Sequence, residues 1–249
     1  MAIYILSFLV LLGFCFSAPE SDWVFHYLFT VALLVGSVTY YTEASDLGWT
    51  AVGQQPGEAS GRQMFYAKYV NWAISFPSVA LALGLLSGVS WTTIVTNIFI
   101  AWFWVLTYLA GSYIETSYKW GFFAFGTFAW LILAASLLNE GREAASTLGI
   151  TPDYMILAGW VNLLWLLYPI AFGLSDGSNT IGITGGFIFF GVLDALLVPV
   201  LSFAFLILGR KWDYKYLNLA FSGHRVNPRV EVSAKTEAAP LAGNNASAL

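Results

Sequence analysis

The chain has 249 residues, of which 58% are hydrophobic and 10% charged, with a formal net charge of −4 at pH 7. A soluble domain carries about 25% charged residues, so this composition excludes an ordinary soluble protein and predicts an integral membrane protein. The negative balance argues against nucleic acid as a partner, and the single cysteine, Cys15, excludes a disulfide within the chain.

Long apolar runs recur along the chain, and each is a candidate transmembrane helix because a span needs about 20 residues. With about 30 residues for each span and its loop, there is room for roughly seven helices. The predicted fold is therefore an all-α membrane protein, a seven-transmembrane-helix bundle within residues 1–212. The predicted spans are 1–18, 23–41, 64–86, 91–114, 120–138, 152–174 and 183–208.

The first run has two interpretations. It reads as a short transmembrane helix over residues 1–18, or as a secretory signal peptide cleaved after Ala18. No basic residues precede it, and bulky Phe16 would stand three residues before the cut, which favours the helix.

The charges outside the spans predict the orientation. From about residue 213 the chain loses its apolar character, and 213–249 is predicted to be a cytoplasmic, largely disordered tail. An outside N-terminus and an inside C-terminus satisfy the positive-inside rule, since seven basic residues then face the cytoplasm against Arg62 and Lys119 outside. The seven are Arg142, Arg210, Lys211, Lys215, Arg225, Arg229 and Lys235.

Few polar side chains lie inside the predicted spans. Asp194 interrupts the last apolar run, and a carboxylate near mid-membrane costs about 3 kcal/mol, so it should face the protein interior. Lys68, Asn71 and Ser75 follow the spacing i, i+3, i+7 and share one face of the third helix. Lys68 and Asp194 are expected to interact directly or through water. Either they form a proton or ion pathway, or they only fix helix packing.

Aromatic residues suggest a cavity. Trp165, Tyr168 and Phe172 line one helix face and, with Trp72, are suited to walling an aromatic cavity, although such rings are more often simply core. The sequence shows no serine nucleophile elbow, no phosphate-binding lysine after the glycines at 182–186, and no metal-binding cluster around His26 or His224. Neither an enzyme nor a metal site is predicted.

Several segments in these helices resemble the microbial rhodopsins, in particular the fungal opsin family. They fall in the family's order and cover helices two to seven. The segments are FHYLFTVALLVGSVTYYTEASDLGWTAV, RQMFYAKYVNWAISFP, SYKWGFFAFG, GWVNLLWLLYPIAFGLSDGSN and FFGVLDALLVPV. The resemblance implies a microbial rhodopsin-like bundle.

The resemblance also implies which functional residues are missing. Where the pumps carry the lysine that bonds retinal, one turn after an aspartate, this chain has Val198 after Asp194. Asn71 replaces the proton acceptor, Lys68 replaces an arginine and Ala82 replaces the internal donor. Valine cannot form an imine, so covalent retinal is excluded at this site and no cofactor is expected.

Other positions match the family. The resemblance assigns Tyr40 and Tyr168 to bonding of the aspartate and gives Asp176 as a release-site acid. At the release position on the seventh helix, where the family carries an acid, this chain has Gly186 instead. Phe76 stands where the pumps carry a smaller residue. The predicted apolar cavity comprises Trp72, Phe76, Trp165, Tyr168, Phe172 and Val198. The predicted buried polar centre comprises Tyr40, Lys68, Asn71 and Asp194.

This pattern resembles the fungal opsin-related proteins that lack the lysine, which include heat-shock-protein-30-like members of the plasma membrane. It implies a non-photochemical membrane protein with a stress-linked or chaperone-like role, located in the plasma membrane. An ion or proton transporter or channel is one alternative, and a sensor that binds retinal or another apolar ligand non-covalently is another. The partners expected are membrane lipid, a homo-oligomer and an apolar ligand.

Overall fold

The computed structural model describes residues 1–17, 23–53, 62–217 and 219. In this part of the chain we number seven helices. Six of them, α2 to α7, are long and apolar enough to cross a membrane, and α1 is a shorter apolar helix of 16 residues. The predicted seven-helix membrane bundle is confirmed. The helices are α1 (Ala2–Ser17), α2 (Trp23–Ala44), α3 (Ala67–Ser87), α4 (Trp91–Tyr113), α5 (Lys119–Thr147), α6 (Thr151–Gly177) and α7 (Gly182–Gly209).

Helices that follow one another in the chain pack side by side, and α7 packs back on α1 and α2, so the bundle closes on itself. Helix α3 also packs against α6. It is the most buried of the spans, because rows of small and aromatic residues let neighbours approach on most of its faces. Most of the polar interior is carried by α3, α6 and α7.

One end of the bundle carries a two-stranded antiparallel hairpin, mostly in the stretch between the predicted spans 23–41 and 64–86, for which no strand was predicted. Strand β1 (Trp49–Val52) pairs with β2 (Arg62–Phe65), with Trp49 opposite Phe65. We call this the hairpin end. Helix α3 therefore begins at Ala67 rather than at the predicted residue 64, because the preceding residues belong to β2.

Other predicted boundaries fall short of the helices. Helix α2 continues to Ala44, three residues past the predicted end. Helix α5 continues to Thr147, through residues predicted as a polar link, by means of the π-helical segment Ser136–Glu140. That segment leaves the carbonyl of Leu137 open to the hydroxyl of Tyr154 on α6, which donates to it at 2.7 Å.

The chain after α7 does not leave the bundle at residue 213, where the tail was predicted to begin. Tyr214, Leu217 and Leu219 are buried. Trp212 donates from Nε1 to the Asp153 carboxylate at 2.9 Å, and its ring lies 6.0 Å from that of Phe25. These contacts hold the start of the tail against α2 and α6. Residues 218 and 220–249 of the predicted tail lie outside the described residues.

Helix α1 is joined to the bundle through Tyr4. Its ring stacks on Tyr40 of α2 with centroids 5.1 Å apart, and its hydroxyl donates to the backbone carbonyl of Asp194 at 3.0 Å. Gly36 makes this approach possible, since a Cβ there would lie 2.2 Å from the Tyr4 ring. The first predicted span thus packs as a helix of the bundle.

We predict that Gly36→Ala lowers the free energy of unfolding by about 1–3 kcal/mol, because the added methyl displaces Tyr4 and overpacks the contact. Gly13→Ala is the matched control, since a Cβ at Gly13 meets no atom within 4 Å and helix propensity favours alanine. Reversible unfolding in mixed detergent measures both. Equal stability of the two variants would contradict this account of how α1 docks.

Candidate functional site

The carboxylate of Asp194 lies at the centre of the bundle, on a residue that is 1% exposed. Its Oδ1 accepts hydrogen bonds from the Tyr168 hydroxyl at 2.5 Å and the Trp72 indole nitrogen at 3.0 Å. Its Oδ2 accepts from the Tyr40 hydroxyl at 2.7 Å and the Asn71 amide at 3.2 Å. Four neutral donors therefore satisfy one buried charge.

These donors come from three helices. Tyr40 is on α2, Asn71 and Trp72 are adjacent on α3, and Tyr168 is on α6. Helix α1 adds Tyr4, which bonds the backbone of the same aspartate on α7. The carbonyl lies just before the π-helical segment Leu196–Val200, where proline cannot donate to the preceding turn. The site thus joins five of the seven described helices.

Lys68 does not pair with Asp194, although the two were expected to interact. Its Nζ lies 2.6 Å from Oδ2 of Asp176, and the Tyr69 hydroxyl donates to the same oxygen at 2.5 Å. The ammonium is also 4.6 Å from the centre of the Phe190 ring. Lys68 stands almost one helical turn nearer the hairpin end than Asn71, which brings it to the level of Asp176.

Arg62 connects the hairpin to the backbone of Asp176, the residue that pairs with Lys68. Its guanidinium donates to the backbone carbonyl of Asp176 and, at 2.8 Å, to that of Ser112. Strand β2 is thereby tied to the ends of α4 and α6. Asp176, which the family resemblance gave as a release-site acid, thus contacts Lys68 and Tyr69, and its backbone carbonyl accepts from Arg62.

An aromatic cluster lies beside Asp194, and Phe76 is at its centre. The centroid of its ring is 5.9 Å from Trp72, with the planes 13° apart, and 5.0 Å from Tyr168. It is also 4.8 Å from Trp104 and 5.6 Å from Trp165. All five residues are at most 1% exposed. The side chains predicted to wall an apolar cavity thus pack on one another around Phe76.

The two remaining members of the predicted cavity have different surroundings. Phe172 packs on Tyr108 and Phe123, with centroids 4.4 and 5.7 Å away. Val198 is 1% exposed and lies within the π-helical segment of α7, four residues after Asp194. A valine side chain has no amine, so Val198 cannot form an imine with an aldehyde.

A cavity opens from the hairpin end toward the polar centre. Its volume is about 40 Å³ measured as room for the centres of water-sized spheres, enough for roughly three waters. Lys68, Asp176 and Tyr40 line its inner part, together with Glu43, a carboxylate that is 8% exposed. The sequence did not identify Glu43 as a site residue, because α2 was predicted to end two residues before it.

The sequence matches the family described as Bacteriorhodopsin-like protein over residues 1–209. The chain belongs to the bacteriorhodopsin-like protein family. Among its relatives, the opsin-like protein carO of Fusarium fujikuroi is 32% identical, over 90% of this chain and 74% of that protein. The 30 kDa heat shock protein of Saccharomyces cerevisiae is 33% identical, over 78% of this chain and 65% of that protein.

Solved structures agree with this membership. The light-driven proton pump LR (Mac) of Leptosphaeria maculans is 25% identical with a TM-score of 0.78, covering 85% of this chain and 92% of that one. The light-driven proton pump CsR of Coccomyxa subellipsoidea is 24% identical with a TM-score of 0.79, covering 83% and 92%. None of these four proteins is named as an enzyme. The bundle is therefore a microbial rhodopsin fold.

Two side chains that sequence reasoning missed complete the centre of this bacteriorhodopsin-like fold. Tyr4 lies in an apolar run with no periodic pattern. The signal that could have identified it is its hydroxyl, which needs a hydrogen-bond partner when the ring is buried. Trp104 lies on α4 among many aromatic residues, and only the packing identifies it as the ring beside Phe76.

We predict that a double-mutant cycle couples Lys68 with Asp176 more strongly than with Asp194. Lys68→Met and Asp176→Asn should show a coupling energy of about 0.5–3 kcal/mol, because the two form a mostly buried ion pair. The same cycle with Asp194→Asn should give a smaller value. Unfolding free energies of the single and double variants measure both, and a larger coupling to Asp194 would contradict the pairing seen here.

Proposed function

We propose that this protein is a non-photochemical member of its family, which binds no retinal covalently and has a stress-linked role in the plasma membrane. The observation that carries the proposal is the ring of Phe76, packed against Trp72, Trp104, Trp165 and Tyr168. A packed interior has no room for a polyene without displacing side chains. The resemblance adds Val198 in place of the imine-forming lysine.

The lysines of the described residues support the same proposal. Lys68, in the first turn of α3, has a side chain that is only 13% exposed, and its ammonium is held by Asp176 at 2.6 Å. Lys119 begins α5, and Lys211 and Lys215 follow α7. In the described part of the chain, a Schiff base would require Lys68 to give up that ion pair.

A transporter or channel is less well supported. The hairpin-end cavity gives an ion access to Lys68 and Asp176. Beyond Asp194, however, an ion would meet the packed rings of Trp72, Phe76 and Trp165, which are at most 1% exposed. An unsolvated charge in such surroundings is costly, so the aromatic cluster supports a closed bundle.

The stress-linked part of the proposal is supported by the similarity to the 30 kDa heat shock protein. Asp194 held by neutral donors, with packed rings beside it, is suited to a fixed bundle that acts through its surfaces. We expect a strain that lacks this gene to survive heat shock less well, and the wild-type gene to restore survival equally in light and darkness. Unchanged survival without the gene, or rescue that depends on light, would contradict the role.

We predict that the wild type gives no visible band with all-trans retinal, and that Val198→Lys gives little pigment. Val198→Lys with Phe76→Ala should give more, because removing the ring opens space in the aromatic cluster beside Asp194. Phe172→Ala with Val198→Lys is the control, since it also removes a buried ring but leaves Phe76 in place. Spectra before and after borohydride reduction measure the bound retinal. A reducible band in the wild type would overturn the proposal.

We also propose an outside hairpin end and a cytoplasmic Lys211, as the distribution of basic residues favours. Protease added to intact cells should then spare an epitope placed after Lys211. Cleavage of that epitope from outside would reverse the orientation.

A further inference from the structure

The hairpin-end cavity contains a carboxylate with no partner. Glu43 lines the cavity and is 8% exposed, and its carboxylate makes no hydrogen bond or ion pair with any residue that the structure describes. The charged groups that act on it are Asp194, Lys68, Asp176 and the Met1 amine. A buried carboxylate without a partner is costly, so a cation that paired with it inside the cavity would remove that cost.

The cations around this cavity already have other partners or are exposed to water. Lys68 is paired with Asp176 at 2.6 Å. Arg62 donates to two backbone carbonyls at the rim. The Met1 amine belongs to a residue that is 49% exposed, where water screens its charge. A cation at bonding distance from Glu43 must therefore come from outside the described residues.

The walls of the cavity distinguish between kinds of cation. Phe65 and Phe187 stand at its mouth with ring centroids 4.7 Å apart, and Phe190 already holds the ammonium of Lys68 against its face. Aromatic faces attract ammonium groups, which also pair with a single carboxylate. A hard metal cation instead needs about six oxygens, and the described residues form no group of three acidic, histidine or cysteine ligands.

Size limits the ligand further. The cavity has room for roughly three waters, and its free space continues along Gly191, where an added Cβ would meet no atom within 4 Å. An ion with one or two heavy atoms fits beside Glu43, whereas a long or branched one does not.

We propose that this cavity is a binding site for a small ammonium ion, such as ammonium or methylammonium, paired with the carboxylate of Glu43. The site adjoins the Asp194 centre, with which it shares Tyr40, but its carboxylate is that of Glu43, and the proposal does not depend on whether the protein binds retinal. It implies binding from the hairpin end only, because the aromatic cluster lies beyond it.

Equilibrium dialysis of the purified full chain against ¹⁴C-methylammonium tests the site. We expect saturable binding to the wild type at constant ionic strength, and binding at least tenfold weaker to Glu43→Gln. That variant should fold, because Glu43 has no bond among the described residues to lose. Glu115→Gln, an exposed carboxylate at the same end, is the matched control and should bind like the wild type.

A second variant tests whether binding needs the free volume of the cavity, and it leaves the Glu43 carboxylate in place. Gly191→Leu should fill the cavity and weaken binding at least tenfold, whereas Gly159→Leu, equally free of neighbours but outside the cavity, should not. The proposal is overturned if the wild type shows no saturable binding, or if Glu43→Gln binds as well as the wild type. It is also overturned if Na⁺ competes as effectively as unlabelled methylammonium, since the site would then not select an ammonium ion.

Discussion

The buried carboxylate of Asp194 is the constraint on which the rest of this structure depends. A charge at that depth would cost several kcal/mol if left alone, and no cation of the described residues pairs with it. Its four hydrogen bonds from neutral side chains on α2, α3 and α6 stabilise it instead. These bonds set how those helices approach α7, and the bond from Tyr4 brings α1 to the same place.

The packing of the aromatic cluster is coupled to the hydrogen bonding of Asp194. Trp72 uses its indole nitrogen on Asp194 and its ring on Phe76, so the polar centre and the aromatic cluster share one side chain. A close-packed interior transmits strain, which means that a chromophore could enter only by displacing Phe76 and disturbing a donor to Asp194. In the function that we propose, this packing keeps the bundle rigid and holds Asp194 in a fixed place at its centre.

Sequence reasoning could predict the bundle because seven apolar runs suffice for it, and α1 to α7 lie where those runs are. It could not place the helix ends, since Met64 and Phe65 were predicted to begin a helix but pair with β1, and a π-helical segment carries α5 through polar residues. The tyrosines around Asp194 came from the family resemblance. Helical spacing by itself predicts which side chains share one face of a helix, but not which side chains of other helices they contact.

Lys68 shows the limit of such reasoning most clearly. Helical spacing places Lys68 on the same face of α3 as Asn71. It does not show whether Asp176 or Asp194 lies at the same depth in the bundle as the Lys68 ammonium. Only the packing of α6 brings Asp176 to 2.6 Å from its ammonium. Glu43 was missed for a related reason, because a loop residue and the last turn of a helix cannot be separated by hydropathy.

The most direct test of the central claim is an experimental structure of the protein purified with all-trans retinal supplied throughout. The account predicts that the Phe76 ring remains within about 6 Å, centroid to centroid, of Trp72, Trp104, Trp165 and Tyr168, the range of paired aromatic rings. It also predicts that Asp194 keeps its four side-chain donors. Elongated density between Trp72 and Trp165, with Phe76 displaced, would contradict it.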